Sequence, residues 1–255
     1  MSIRCNKKSK RMGLSSHLRI ILIRFFSFFY NSKRSKVIFY HDLHSVKRYT
    51  SMSTSIKLFE QHLQIIFEEG YQIVSKITKE FGQVEICFDD AFLGIYDNIA
   101  FLKKNDIPFH LFVVTSYIGQ ENYMNKKQLL ELSRLNFVRI SSHSHTHRIL
   151  NKLSVSEIET ELRVSKEFLQ NLLNVRIDCI CFPEGKFNLN TVKIAKQVGY
   201  YLQYSSLPGY FYSNNKENVI RRSLVQFADK KEFKSILRGG DHILLIWYKF
   251  KHFNI

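Results

Sequence analysis

The chain has 255 residues, of which 45% are hydrophobic and 24% are charged, so it is long and apolar enough to bury one sizeable core. These values exclude a disordered or fibrous chain. Thirty-eight Lys and Arg against 22 Asp and Glu give a formal net charge of +16 at pH 7, which favours anionic partners. Residues 1–36 hold ten of the basic residues and no acid, which leaves 28 minus 22, or +6, for the rest. Because this charge is concentrated in an arm, nucleic acid is not an expected partner.

Residues 1–35 are predicted to form a basic amphipathic arm. The apolar run at 18–30 is interrupted by Arg19 and Arg24, so it is too short and too charged to span a bilayer easily, and no convincing signal cleavage site follows it. Such a segment suits a helix lying on an anionic cytoplasmic leaflet. A helix packed on the domain's own surface is the alternative, and an atypical export signal stays open. The expected location is cytoplasmic and peripheral at the membrane.

From residue 36 onwards, short strand-like runs alternate with amphipathic helical windows, which predicts one α/β domain over residues 36–255. Strands are predicted at 37–40, 71–77, 84–88, 109–115, 137–141, 176–182 and 200–205. Helices are predicted at 56–69, 95–104, 126–135, 154–173 (opened by a Ser154–Glu157 capping box) and 189–198. This alternation is typical of a parallel sheet, either open or closed into a barrel.

Two adjacent carboxylates, Asp89 and Asp90, close the apolar strand at 84–88. In parallel α/β folds, sites assemble at the carboxyl ends of strands. Where the strand breaks into a loop, one carboxylate can bind a metal ion while the other faces the water that attacks. A turn with two solvated aspartates is the alternative.

Three histidines follow the next such strand within five residues, at His143, His145 and His147. Imidazole is the commonest ligand for zinc-like metals. Because they are four residues apart, His143 and His147 are predicted to share one face of a helical turn and to bind one ion, with His145 pointing away. Together with Asp90 they form a set of two His and one carboxylate, which is typical of a catalytic metal site.

A Pro and a Gly flank Glu184 after the strand at 176–182, which would expose the Glu184 backbone N–H to a site. Cys179 and Cys181 lie on one face of that strand; two buried apolar side chains are the favoured interpretation, and a thiolate pair for zinc is the alternative. Four scattered cysteines in all weakly favour a reducing compartment.

The three clusters resemble, in order and setting, the motifs of polysaccharide deacetylases of the NodB-homology type, carbohydrate esterase family 4. Residues 87–91 (CFDDA) resemble T-F-D-D-G, residues 143–147 (HSHTH) fit H-[S/T]-x-x-H, and residues 182–185 (FPEG) resemble an aromatic-Pro-Tyr-Gly loop. The resemblance covers residues 37–237. It implies a distorted (β/α)7 barrel that removes acetyl groups from sugar chains.

Carried over to this sequence, the resemblance implies that Asp90, His143 and His147 bind the metal and that Asp89 is the base. It implies a divalent ion, Zn²⁺ foremost, with Co²⁺, Ni²⁺, Mn²⁺ or Fe²⁺ as the alternatives. Substrate and oxyanion contacts are assigned to Phe182, Pro183, Glu184, Gly185 and Arg222.

The general acid is assigned to His41. The family's usual C-terminal L-x-H motif is absent, and residues 37–42 (VIFYHD) resemble the opening of a circularly permuted subgroup that includes the poly-N-acetylglucosamine deacetylases. Cys181 stands where many members have an arginine that pairs with the base, and Arg222 is the proposed replacement. Glu184 stands where an aromatic residue is usual, and it adds negative charge at the rim.

The sequence therefore predicts a metal-dependent hydrolase that removes N-acetyl or O-acetyl groups from a saccharide or a lipid-linked glycan. The alternative is a catalytically impaired deacetylase fold that only binds a saccharide at the membrane. A glycosidase is disfavoured because Asp89 and Asp90 are neighbours, whereas that reaction needs two carboxylates about 5 Å or more apart.

Overall fold

A computed structural model of the chain describes residues 14–30, 32–211, 218–245 and 248. The helices are α1 Leu14–Phe26, α2 Ile56–Glu68, α3 Leu93–Asp97, α4 Ile99–Lys104, α5 Lys126–Ser133, α6 Val155–Leu173, α7 Leu189–Val198 and α8 Lys230–Leu237. The strands are β1 Lys36–Tyr40, β2 Asp42–His44, β3 Ser53–Ser55, β4 Gln72–Val74, β5 Gln83–Asp89, β6 Phe109–Val113, β7 Val138–Ser142, β8 Cys179–Cys181, β9 Leu202–Tyr204 and β10 Ser223–Leu224. Short 3₁₀ turns include Pro183–Gly185 and Gly240–Ile243.

A curled parallel sheet forms the centre of the domain. Its strands run in the order β10-β1-β5-β6-β7-β8-β9, and β4 adds to β5 from the side. Residues 220–224 bring the two ends together, because Ile220 bridges to Tyr204 of β9 while Ser223 and Leu224 pair with β1. The predicted distorted barrel in a single domain is confirmed. The carboxyl ends of β1, β5, β7 and β8 therefore face one rim.

Side chains alternate across the sheet and build two apolar layers. The inner layer fills the barrel with residues such as Val37, Phe39, Phe112, Cys179 and Cys181. The outer layer packs the helices against the opposite face of the strands. Both cysteines of β8 are buried in the inner layer with no disulfide, as the apolar interpretation predicts.

The predicted elements are present, with three differences. The helix predicted at 95–104 is broken at Asn98, whose side chain donates to the Gly94 carbonyl (2.8 Å) and so competes with the helical backbone. The strands predicted at 71–77, 176–182 and 200–205 shorten to β4, β8 and β9. The β2–β3 pair, β10 and α8 are present in addition to the predicted elements.

Helix α1 packs one face against the domain. Ile23 is fully buried there, and Arg19 and Arg24 form ion pairs with Glu232 (2.6 Å) and Asp229 (2.9 Å) at the start of α8. This face of α1 therefore packs as in the alternative interpretation, a helix on the domain's own surface. The remainder of the predicted arm, residues 1–13, lies outside the described residues. Within the described ranges, no helix has the length and hydropathy needed to cross a membrane.

Candidate active site

Asp89 and Asp90 lie where β5 ends at the rim of the barrel. Asp89 is the last residue of the strand, and Asp90 and Ala91 then adopt positive φ angles of 70° and 62°. This sharp left-handed turn brings two adjacent carboxylates to the same side of the sheet end, which continued strand geometry would not do. Both side chains are buried, with 4% and 9% of their surfaces exposed.

His143 and His147 lie in the loop after β7, where they approach Asp90. The predicted helical turn is wrong. Positive φ angles at Ser144 (66°) and His147 (60°) fold the loop back on itself, and this fold brings the two imidazoles together. The His143 Nε2 and His147 Nε2 atoms each lie 3.7 Å from Asp90 Oδ1. His145 points away, as predicted, and its Nδ1 makes a 2.8 Å hydrogen bond with the Thr115 hydroxyl.

A buried carboxylate on α6 anchors this loop. Glu161 Oε2 accepts hydrogen bonds from the backbone N–H groups of His145 (3.1 Å) and Thr146 (2.8 Å), and Oε1 accepts from the Thr146 hydroxyl. Ser144 adds a further bond, because its hydroxyl accepts from the His147 N–H (3.2 Å). Glu161 therefore holds the backbone between the two histidines, and sequence reasoning missed it.

The set of Asp90, His143 and His147 fits a divalent metal ion. Asp90 Oδ1 is buried and has no hydrogen-bond partner within the described part of the chain. Its 3.7 Å separations from the two imidazoles are too long for hydrogen bonds but close to the spacing of about 3.4 Å between zinc ligands in a tetrahedron. His143 Nδ1–H donates to the Cys181 carbonyl (2.7 Å), which leaves the Nε2 lone pair for a metal. Burial lowers the pKa of His143 to about 3, so this ring is neutral, the form that binds metals.

Asp89 is held in its charged form by Arg222. The guanidinium donates two parallel hydrogen bonds, of 2.7 Å to Oδ1 and 2.8 Å to Oδ2, and a third contact of 2.7 Å reaches Cys181 Sγ. Burial alone would raise the pKa of Asp89, but the Arg222 charge and hydrogen bonds outweigh it and lower the pKa to about 2. Arg222 therefore lies beside Asp89, the predicted base, at the position proposed for it from the sequence.

Asp90 shows the opposite behaviour. Burial and the neighbouring Asp89 charge raise the pKa of Asp90 to about 7 in the protein without metal. The surroundings of the two adjacent carboxylates thus differ. The negative charge of Asp89 is balanced by the Arg222 guanidinium, and Asp90 faces the two imidazoles. This division matches one base and one metal ligand.

His41 approaches the same site from the end of β1. Its Nδ1 lies 2.6 Å from Gln226 Oε1, and because an amide oxygen only accepts, Nδ1 carries the hydrogen and Nε2 is the atom left for chemistry. Burial lowers the pKa of His41, while the Asp89 charge raises it to a smaller extent. Gln226 is buried, and its backbone carbonyl accepts a hydrogen bond from the Thr54 hydroxyl (2.9 Å). Sequence reasoning did not identify Gln226.

The turn at Pro183–Gly185 contributes Glu184 and Gly185 to the lining of the cavity that also contains His41. Glu184 has φ 53°, and the N–H groups of Gly185 and Lys186 donate to the carbonyls of Phe182 (2.8 Å) and Pro183 (3.1 Å). Gly185 has φ 64°, and a Cβ there would lie 1.9 Å from the Ser206 hydroxyl oxygen, so only glycine fits. The Glu184 carboxylate points outward and forms an ion pair with Lys186 (2.6 Å).

One cavity of about 320 Å³ gathers nine of the ten predicted site residues. They are His41, Asp89, Asp90, His143, His147, Phe182, Glu184, Gly185 and Arg222. Pro183 is buried within the turn and does not line the cavity. The cavity combines a candidate metal-ligand set, an ionised carboxylate and a histidine whose Nε2 is available. Together these groups can catalyse hydrolysis of an acyl bond.

Sequence comparison identifies the family of this constellation. The polysaccharide deacetylase family model matches residues 76–202, which run from just before β5 to the first residue of β9 and include Asp89, Asp90, His143 and His147. The chain contains a polysaccharide deacetylase domain. The Bacillus subtilis protein YxkH, provisionally named a polysaccharide deacetylase, is 27% identical over 177 residues, which cover 65% of this chain and 63% of YxkH. A poly-β-1,6-N-acetyl-D-glucosamine N-deacetylase of Staphylococcus aureus is 28% identical over 156 residues, which cover 56% of this chain and 54% of that protein. The chain thus spans less than two thirds of these relatives.

Solved structures confirm the deacetylase fold. The deacetylase PplD of Streptococcus pyogenes superposes with a TM-score of 0.69 at 23% identity, over 78% of this chain and 96% of that one. IcaB of Ammonifex degensii gives a TM-score of 0.69 at 18% identity, over 82% and 99%. At these identities the likeness establishes the fold alone.

Glu161→Gln is expected to weaken zinc binding by the deacetylase domain about 10- to 100-fold, the usual cost of losing a residue that orients metal ligands. The amide can accept from fewer loop N–H groups, so the His143–His147 spacing loosens. Isothermal titration with Zn²⁺ measures the change. Glu159→Gln is the matched control, because Glu159 lies on the same helix and its ion pair is with the exposed Arg163 (2.6 Å). Equal zinc affinity in the two variants would contradict the anchoring role.

Proposed function

We propose that this chain is a metal-dependent deacetylase that hydrolyses the N-acetyl group of a saccharide, with an O-acetyl ester as the alternative bond. The observation that carries the proposal is the buried pairing of Asp89 with Arg222 next to the Asp90, His143 and His147 set, in one cavity with His41. The name of the S. aureus relative supports an amide of N-acetylglucosamine as the first substrate to test.

In this mechanism Asp90, His143 and His147 hold the metal. A divalent ion bound there, of which Zn²⁺ is the first to test, supplies a Lewis acid that lowers the pKa of water and polarises a carbonyl. Asp89 is ionised at neutral pH because Arg222 lowers its pKa to about 2, so it accepts the proton of the attacking water.

Stabilisation of the oxyanion and protonation of the leaving group are assigned to Glu184 and His41, which line the same cavity. The Glu184 N–H is not one of the donors that hold the 183–185 turn, so it can donate to the oxyanion that forms on the acetyl carbon. Gln226 keeps one hydrogen of His41 on Nδ1, so Nε2 takes up a proton from solvent and delivers it to the leaving amine, while the proton that Asp89 accepts from water returns to solvent. Both C–N cleavage and proton delivery then occur within one site.

Acetate release tests the proposal. Purified protein, stripped with a chelator and reloaded with Zn²⁺ or Co²⁺, is expected to release acetate from N-acetylglucosamine oligosaccharides and from an aryl acetate. The stripped protein should be inactive. Zinc binding without acetate release from any of these substrates would favour the binding-only alternative.

We further infer that α1 lies on an anionic membrane surface. On the outward side of α1 and in the turn that follows it, five large apolar side chains are 54–88% exposed. They are Leu18, Ile21, Phe25, Phe28 and Phe29, termed here the α1 stripe. Arg19 and Arg24, with side chains 32% and 40% exposed, are paired with Glu232 and Asp229, so both positive charges beside the stripe have a partner. Five basic residues within positions 1–11 precede the helix and add attraction to anionic lipid.

Co-sedimentation with vesicles rich in phosphatidylglycerol tests this location. The double variant Ile21→Glu/Phe28→Glu is expected to bind at least about tenfold more weakly, since it loses apolar burial and gains repulsion. Val46→Glu/Val175→Glu is the control, because both valines are exposed but lie on other elements. Binding reduced equally by both pairs, or unchanged in both, would refute a specific role for the stripe.

A further inference from the structure

The cavity that contains the catalytic cluster extends past it towards α1. Besides the site residues, its lining includes Ile236 of α8, Leu244, Tyr248 and Arg19 of α1. Leu224, on the two-residue strand β10, lines the cavity as well. We refer to the part of the cavity bounded by Ile236, Leu244, Tyr248 and Arg19 as the α1 arm; this name denotes a space in the cavity and not the N-terminal segment at residues 1–35.

The α1 arm is apolar, and the charges that face it are matched. Asp241 lines the cavity but accepts hydrogen bonds from Lys36 Nζ (2.7 Å) and the Ser223 hydroxyl (2.5 Å). Arg19, at the outer end, is paired with Glu232 at 2.6 Å. A ligand in the arm therefore meets aliphatic and aromatic walls and charges that already have partners, which suits a hydrocarbon and disfavours a second sugar unit.

Two features restrict what can occupy this space. The arm is continuous with the catalytic cavity, so its occupant is connected to the saccharide whose acetyl group reacts. Its other end lies at α1, whose outer face is the apolar α1 stripe. A hydrocarbon chain that leads from a membrane to the reacting sugar satisfies both conditions.

We propose that the α1 arm binds the sugar-proximal part of the hydrocarbon chain of a lipid-linked acetylated saccharide. This inference rests on the proposed deacetylase function and narrows its substrate class from saccharides in general to membrane-borne ones. A soluble polysaccharide that lies only across the open rim is the competing outcome, and for that substrate the arm stays unused.

The decisive experiment is a binding series that needs no turnover. Alkyl glycosides of N-acetylglucosamine, from methyl to octyl and below their micelle concentrations, are titrated into zinc-loaded Asp89→Asn protein. If the chain enters the arm, affinity should rise about two- to fourfold per added methylene and then level off when the arm is full. A Kd that does not change with chain length would overturn the proposal.

Variants locate the chain. Leu244→Trp narrows the arm and is expected to flatten the series while leaving the Kd of the methyl glycoside unchanged, which also shows that the site is folded. Ile236→Phe gives a second, independent narrowing. Phe28→Ser, on the α1 stripe, is the matched control and should keep the steep series. A series that stays steep in both narrowed variants, or that is lost in Phe28→Ser, would place the chain elsewhere and refute the arm.

The two proposals fail in different ways. Acetate release by the zinc-loaded parent protein from methyl and octyl glycosides alike, with a flat binding series, overturns the arm and leaves the deacetylase intact. A steep series that Leu244→Trp flattens, without acetate release from any glycoside, supports the arm and refutes the deacetylase.

Discussion

Asp89→Asn is expected to lower kcat for deacetylation by about 10²- to 10⁴-fold while the zinc content stays at the parent level. The amide has nearly the same size as the carboxylate but cannot accept the proton of the attacking water. Zinc should stay because the ligand set consists of Asp90, His143 and His147, with Asp89 outside it. Steady-state acetate release and metal analysis after dialysis give the two numbers.

Two further variants make this result specific. Asp90→Ala is expected to lose both zinc and turnover, because it removes a proposed ligand. Asp106→Asn is the matched control: it makes the same chemical change at an exposed aspartate with a positive φ of 49°, and it should leave both quantities unchanged. An Asp89→Asn protein that retains more than a tenth of kcat would show that another group serves as the base.

Much of the site could be predicted from sequence because its chemistry is concentrated in short segments. Asp89–Asp90 and His143–His147 each lie within five residues, directly after apolar strands, and parallel strands bring such segments to one rim. His41 follows β1 in the same way. The local clustering of polar residues was therefore enough to predict most of the candidate ligand set, and the strand periodicity was enough to predict the fold class.

The supporting residues could not be predicted because nothing local distinguishes them. Gln226 lies 185 residues from His41, and Glu161 looks like any other acid on an amphipathic helix until the fold places it under the loop after β7. β10 has two residues, too few to show a period. The left-handed turns at Ser144 and His147 are held by Glu161 and Ser144, so the predicted helical turn failed for a tertiary reason.

The amphipathic pattern of α1 also had two meanings in the sequence. A helix on the domain surface and a helix on a membrane were weighed as alternatives, because each requires one apolar face. The structure has apolar residues on both faces of α1: Ile23 faces the domain, and the α1 stripe faces outward. The sequence pattern alone does not separate these two faces. Arg19 and Arg24 pair with Glu232 and Asp229, which are distant from them in the sequence.

Arg222→Met is expected to destabilise the fold by about 3–5 kcal/mol at pH 7, because it leaves the buried Asp89 carboxylate without a counter-charge. The side chains of Arg222 and Asp89 are only 1% and 4% exposed, so water cannot replace the lost hydrogen bonds. Denaturant unfolding at a fixed, saturating zinc concentration measures the loss. Arg163→Met, which removes an exposed arginine paired with Glu159, should change stability by no more than about 0.5 kcal/mol.

The pH dependence of this loss identifies its cause. In the parent protein the pKa of Asp89 is lowered to about 2 from its ordinary 3.8, so the stabilisation is present above about pH 4 and is lost as pH falls towards 2. Without Arg222, burial raises the pKa of Asp89 instead, and the penalty disappears as the carboxyl becomes protonated. The stability difference between parent and variant should therefore be widest at pH 7 and narrow towards pH 4. The double variant Asp89→Asn/Arg222→Met removes the buried charge altogether, so it should recover much of the lost stability at pH 7. If the double variant is as unstable as Arg222→Met alone, the loss comes from packing around the guanidinium and not from the ion pair.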